Sequence, residues 1–124
     1  MVNEVEGEQL SGSEDPYRIL DAMEEKYPKA HIVLTLGKRG SVYRYRGMTV
    51  PQEAFPVEAI DTTGAGDTFT GYFLAGFTAI TGEVTKKAIK KVMERASRAS
   101  AITCTRKGAA LAIPTAAEVD ASMR

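Results

Sequence analysis

The sequence predicts an α/β domain built in layers, and three observations carry that prediction. Residues 31–36 form an apolar run rich in β-branched side chains. Residues 41–50 alternate in character and are broken by Gly47. Two long helical periodicities follow, over 65–80 and about 84–103. Strand, loop, helix and then more helix is the order expected of such a layered architecture.

Taken in chain order, residues 7–16 are polar, contain Gly7, Gly12 and Pro16, and are expected as a loop. Ser13 is suited to cap the helix that follows, with Pro16 tolerated in its first turn. Ile19, Leu20, Met23 and Tyr27 then recur at helical spacing until Pro28. His31-Ile32-Val33-Leu34-Thr35-Leu36 reads as a buried strand, and Gly37-Lys38-Arg39-Gly40 as a turn. Val42 and Arg44 alternate with Tyr43 and Tyr45, which predicts a half-exposed strand over 41–46. Gly47 turns the chain into a short third strand, Met48-Thr49-Val50. Pro51 and Pro56 interrupt the stretch before another strand, Val57-Glu58-Ala59-Ile60.

Residues 61–67 are a turn of small residues. From Ala65 to Ile80 the apolar Phe69, Tyr72, Phe73, Phe77 and Ile80 mark a helix with a wide apolar face. Gly71, Ala75, Gly76 and Ala79 permit close packing, and Gly82 ends the helix. The second helix carries its stripe at Ala88, Ile89, Val92, Ala96, Ala99, Ala101 and Ile102 and stops at Lys107-Gly108. Residues 109–113 are expected to be extended, and Thr115 to cap a last short helix running through Met123.

Composition excludes several functions. Sixteen Lys and Arg balance sixteen Asp and Glu, so the chain is not the basic protein that general nucleic-acid binding calls for. No run approaches the roughly 20 apolar residues of a membrane span. Cys104 is the single cysteine, which excludes an internal disulfide and a Cys-based zinc site, and His31 has no second His or Cys to share a metal with. The acidic start, Met1-Val2-Asn3-Glu4-Val5-Glu6, lacks the order of a signal peptide, so a cytoplasmic setting is expected. Charge is uneven: residues 1–30 hold eight acidic and three basic side chains, and residues 83–107 two acidic and eight basic. That basic stretch reads either as a solvated helix face or as a positive field near an anionic ligand.

A sheet with helices on one side needs a cover for its other face. The chain is therefore expected to be a piece of a longer fold, with the rest preceding Met1, and to self-associate as a homo-oligomer through open edges and faces.

The informative stretch is Asp61-Thr62-Thr63-Gly64-Ala65-Gly66-Asp67, a glycine turn that opens directly into a helix. Gly64 and Gly66 can take backbone conformations that aim consecutive N–H groups at one spot, and the helix adds about half a positive charge there. That combination suits an anion, most often phosphate. A carboxylate at position 67 repels an anion, which a binder gains nothing from. A catalyst gains from it, because the carboxylate can take a proton from an attacking hydroxyl while the amides hold the transferred group. Asp67 is equally an ordinary acid in a first helical turn, and spacing leaves both readings open. No Lys-Ser/Thr follows the glycines, so this is not a Walker P-loop, and Gly64-x-Gly66-x-x-Phe69 lacks the third glycine of the dinucleotide fingerprint.

Asp61-Thr62-Thr63-Gly64-Ala65-Gly66-Asp67-Thr68-Phe69-x-Gly71 resembles the second signature of the ribokinase-like (PfkB) carbohydrate kinases. Asn3-Glu4-Val5-Glu6 is similar to the Asn-x-x-Glu motif of that family, and Thr35-Leu36-Gly37-Lys38-Arg39-Gly40 to its Thr-Leu-Gly-x-x-Gly strand end. Residues 103–109 resemble its C-terminal loop, within the family most closely that of ribokinase, as do Pro51, Phe55, Val57 and Asp61. The resemblance covers the whole chain but only the C-terminal part of the family's three-layer α/β/α fold, a mixed sheet with flanking helices. The sugar-binding sheet, the lid and the first glycine-rich signature precede Asn3 in that fold.

The resemblance implies an ATP-dependent sugar kinase, ribose being the implied acceptor, with residues 1–124 as its nucleotide-binding part. Asp67 would be the catalytic base, and Gly64, Ala65 and Gly66 would supply the anion-hole amides. Asn3 and Glu6 would hold Mg²⁺ through its waters and orient phosphates. Thr35, Gly37 and Gly40 would line the phosphates and ribose of ATP. Carbonyls of Asp61, Thr63, Thr103, Arg106 and Gly108 would coordinate a monovalent cation, K⁺ by implication. Ala112 stands where the family often has a serine that completes the cation shell, which implies a weaker cation response. Alone, the 124 residues are expected to bind nucleotide weakly and not to phosphorylate sugar. Two other readings compete. Asp61-x-Thr63 after a strand suggests a phosphatase-type nucleophile, though no second Asp follows two residues on. A non-catalytic nucleotide-binding or assembly module would leave Asp67 inert.

Overall fold

The computed structural model describes residues 2–57, 64–106 and 114–123, in two compact units, Met1–Glu53 and Ala54–Arg124. In the first unit, β1 (Val2–Asn3) is followed by α1 (Glu4–Ser11), α2 (Pro16–Lys26), β2 (Ile32–Thr35), a single 3-10 turn (Gly37–Arg39), β3 (Ser41–Tyr45) and β4 (Met48–Gln52). The strands form one mixed sheet in the order β1-β2-β3-β4, with β1 parallel to β2 and the other pairs antiparallel. Leu34 lies opposite Val42, and Val33 and Val50 flank Tyr43. One face of this sheet and the apolar stripe of α2 make a shared core of Ile19, Leu20, Met23, Ile32, Leu34, Leu36 and Val42. Each of these burials contributes about 1.5–3 kcal/mol for a side chain of this size.

Three expectations are corrected here. Residues up to Ser11 are helical rather than loop, because Gly7 lets α1 approach the core: a Cβ there would lie 2.8 Å from Ile19 Cγ2 and 3.2 Å from Leu34 Cδ1. The cap of α2 is Asp15, not Ser13. The Asp15 carboxylate accepts from the Tyr17 N–H at 2.9 Å, and the Ser13 hydroxyl accepts from the Asp15 N–H at 3.2 Å. Strand β3 is buried on both faces from Ser41 to Arg44, not half-exposed. Arg44 is covered because its guanidinium donates to Asp21 on α2 at 2.6 Å and to the Thr49 hydroxyl at 2.7 Å. The β3–β4 turn is Arg46-Gly47, both at positive φ, and the Gly47 N–H donates to Glu24 of α2 at 2.9 Å. β4 runs on through Pro51, tolerated because this is a terminal strand of the sheet.

The described elements of the second unit are helices: α3 (Ala65–Thr78), α4 (Lys86–Cys104) and α5 (Ala116–Ser122). Gly76 brings α3 onto α4, where a Cβ would lie 3.1 Å from Val92 Cγ1. Phe69 and Phe73 on α3 are buried, as are Ile89, Val92, Ala96, Ala99 and Ala101 of the stripe expected of α4; Met93, outside that stripe, is buried too, while Ala88 and Ile102 are only half-buried. Thr85 caps α4, and Thr115 with Glu118 forms a reciprocal capping box on α5, as its position in the sequence predicts. The Tyr72 hydroxyl donates to the Pro114 carbonyl at 2.6 Å, and Arg95–Asp120 and Arg106–Glu118 ion pairs tie α5 to α4 and the turn after it. The strands expected at 57–60 and 109–113 fall on residues 58–60 and 109–113, outside the described residues. Among the described residues no helix is long and apolar enough to cross a membrane.

Candidate active site

The site begins with Gly64, the N-cap of α3, at φ +81° and ψ −2°. Only glycine adopts this left-handed conformation at little cost, and it swings the chain so that Ala65, Gly66 and Asp67 form the first helical turn. The N–H groups of that turn have no carbonyl one turn behind them. They sit at the positive end of a 14-residue helix. Gly66 itself is helical rather than left-handed, and a Cβ on it would meet no described atom within 4 Å. Among the described residues, the glycine there leaves the helix end open on its exposed side.

Asp67 is exposed and lines an open depression of about 220 Å³ with Thr68, Gly71, Tyr72 and Ala75. Asp67 is therefore exposed in the first turn of α3 and is not packed into the interior. Burial pushes the Tyr72 phenol up, opposed by the nearby Arg95 guanidinium, so this wall of the depression is neutral at ordinary pH.

The turn is bolted to α4. The Thr68 N–H and the Thr68 hydroxyl both donate to the Gly64 carbonyl, each at 2.9 Å. The Thr103 hydroxyl, fully buried, lies 2.9 Å from the Thr68 hydroxyl. The Ser100 hydroxyl donates to the Ala65 carbonyl at 3.1 Å. Reading the sequence for apolar stripes passes over Thr68 and Ser100. The available signal is Ser97, Ser100 and Thr103, hydroxyls three residues apart on a helix face otherwise lined by alanines.

Of the remaining expected residues, Thr103 thus joins the helix end through its side chain, while its carbonyl accepts from the Arg106 N–H at 3.1 Å. Arg106 directs its side chain to Glu118, whose carboxyl this contact holds below the usual range. Asp61, Thr63, Gly108 and Ala112 lie outside the described residues. In the first unit, β1 and β2 place Asn3 directly opposite Thr35. Glu6 is exposed on α1. Gly37 and Gly40 bracket the 3-10 turn after β2 at φ +59° and +93°, and the Gly40 carbonyl accepts from the Leu36 N–H at 2.8 Å. Among the described residues no three His, Cys, Asp or Glu side chains come together as a metal site.

The profile described as "pfkB family carbohydrate kinase" matches residues 1–116. The chain is 29% identical over 119 residues to a fructokinase of Escherichia coli, covering 96% of this chain and 39% of that one. It is 40% identical over 92 residues to a ribokinase of Schizosaccharomyces pombe, covering 73% of this chain and 27% of that one. The crystal structure of a Vibrio cholerae fructokinase, in its fructose-, ADP- and calcium-bound form, superposes with a TM-score of 0.87 at 28% identity, covering 99% of this chain and 41% of that one. The chain thus spans about two-fifths or less of the length of these relatives.

Proposed function

The chain belongs to the pfkB family of carbohydrate kinases, and on that premise we propose that it is the nucleotide-binding, phosphoryl-transferring segment of an ATP-dependent sugar kinase whose acceptor is ribose. The observation that carries this reading is an exposed Asp67 in the first turn of α3, directly after the left-handed Gly64 that opens the helix, at the rim of an open depression along that helix. The residues present suit a phosphate group. Three N–H groups lack helical acceptors, the dipole favours negative charge, and Gly66 removes the side chain that would stand in the way.

In this reading Asp67 takes the proton of the attacking sugar hydroxyl on a carboxylate oxygen. The amides of the turn that opens at Gly64, chiefly those of Ala65 and Gly66, hold the negative charge that develops on the transferred group. ATP with Mg²⁺ supplies that group. Asn3 and Glu6 would hold the magnesium through its waters, and Thr35, Gly37 and Gly40 would line the nucleotide. Carbonyls of Asp61, Thr63, Thr103, Arg106 and Gly108 would hold a monovalent cation, K⁺, which would supply positive charge near the transferred group. The substrates named for the Vibrio cholerae neighbour, fructose with ADP, support the class of reaction. Ribose rests on the likeness of residues 103–109 to ribokinase, and fructose is the sugar to test beside it. The protein works in the cytoplasm.

Turnover of the Asp67→Asn variant, with this segment in its full-length context, is the test. The base role requires kcat to fall by about 10²–10⁴ while nucleotide affinity stays nearly constant. Undiminished turnover removes it and leaves a nucleotide-binding module.

A further inference from the structure

We infer that Ser100 and Thr103 of α4 are positioning residues for the anion site, holding the peptide planes whose N–H groups face the phosphoryl group. The inference rests on the reading of the α3 N-terminus as a phosphoryl site. A peptide group is planar, so fixing its carbonyl also fixes the N–H on its far side. The Gly64 carbonyl and the Ala65 N–H share one plane, the Ala65 carbonyl and the Gly66 N–H the next, and the Gly66 carbonyl and the Asp67 N–H the third. Each of the three carbonyls is held by a hydroxyl. Thr68 donates to Gly64 at 2.9 Å, Ser100 to Ala65 at 3.1 Å and Thr70 to Gly66 at 2.9 Å.

The bonds from Thr68 and Thr70 reach back four residues within α3, a common habit of threonine in helices that by itself signifies nothing. The other two cross 35 residues of sequence. Ser100 comes from α4 directly to the Ala65 carbonyl. Thr103 acts through Thr68, and proton counting orders that pair. Thr68 spends its one hydroxyl proton on the Gly64 carbonyl, so it accepts from Thr103. The alternative acceptor of Thr103, the Ala99 carbonyl at 3.2 Å, would leave Thr68 free to turn away from Gly64. Hydrogen bonds to a carbonyl also polarise its peptide, which strengthens the N–H as a donor. The two hydroxyls therefore orient the amides and sharpen them, without contact with any ligand.

The test uses ¹⁵N NMR of the chain, with Thr103→Val, Ser100→Ala, and Ser97→Ala as the control on the same helix. Thr103→Val keeps the buried volume and removes only the hydroxyl, and Thr103→Ser restores it. Backbone order parameters at residues 65–67 in the free chain are expected to fall in Ser100→Ala and Thr103→Val and to recover in Thr103→Ser. Titration with inorganic phosphate is expected to move the Gly66 and Asp67 amide resonances, with affinity about 3- to 10-fold weaker in the two variants and unchanged in Ser97→Ala. Order parameters and phosphate affinity that both ignore the loss of the hydroxyls overturn the positioning role. Parent-chain amides that do not respond to phosphate at all overturn the anion-site reading beneath it.

Discussion

The Nδ1 atom of His31 lies 2.6 Å from the phenolic oxygen of Tyr43, and its ring stacks on Tyr45 with centres 3.8 Å apart. Burial, and then the Arg46 guanidinium, hold the imidazole below its ordinary 6.5. Burial, and then Tyr45, push Tyr43 up to about 12 from 10.0. The folded chain thus binds fewer protons at His31 than the unfolded chain. This support for folding is complete above pH 6.5 and fades as pH falls below it. At Tyr43 the folded chain holds its proton longer, so this support is complete below pH 10.0 and fades as pH rises towards about 12. Thermal melts across pH should show a plateau with a limb on each side. His31→Phe should make the acid limb shallower, and Tyr43→Phe the alkaline one; limbs unchanged by these substitutions would assign them to other groups.

Arg44 is 8% exposed and carries contacts to Asp21, Glu24 and Thr49. Arg44→Ala should cost about 1.5–3 kcal/mol, the scale of hydrogen bonds to charged groups, read as a lower urea midpoint. Because Asp21 is itself well exposed, Asp21→Asn should cost less than half of that.

Gly71 and Gly76 lie on the same helix and should respond with opposite signs. A Cβ at Gly71 meets nothing within 4 Å, so Gly71→Ala should stabilise by about 0.5–1 kcal/mol through helix propensity alone. At Gly76 the Cβ presses on Val92 at 3.1 Å, which offsets that gain. Gly76→Val, with two further methyls, should destabilise by about 1–3 kcal/mol. Melting temperatures of Gly71→Ala and Gly76→Val decide this.

Gly66 separates stability from function. Its backbone is helical and the space beside it is open, so Gly66→Ala should leave the melting temperature unchanged or raise it. The same methyl stands on the bare side of the helix end and should weaken inorganic phosphate binding there, read from the shifts of residues 65–67. A gain in stability without a loss in phosphate affinity would show that the open side is not where the anion approaches.

Much of this was legible in the letters. Helix periodicity located α3 and α4, and Thr115 marked the start of α5, because these signals are local. Gly64-Ala65-Gly66-Asp67 announced the helix end for the same reason: a left-handed residue and three small or acidic ones act within one turn. The failures were tertiary. Gly7 looked like a loop residue, yet it is helical because Ile19 and Leu34 press where its side chain would be. Arg44 sits on a strand expected to be half-exposed, yet Asp21 and Glu24 of α2 draw it under cover. The hydroxyl clamp at Ser100 and Thr103 joins residues 35 apart, and no periodicity reports which carbonyl a buried hydroxyl will find.

Pro51, in the terminal strand of the sheet among the described residues, has no amide hydrogen to offer and is exposed. A second polypeptide laid along β4 would meet a gap in the ladder where that donor is missing. The outer margin of β4 is thus shielded against runaway stacking of one sheet on another's flank.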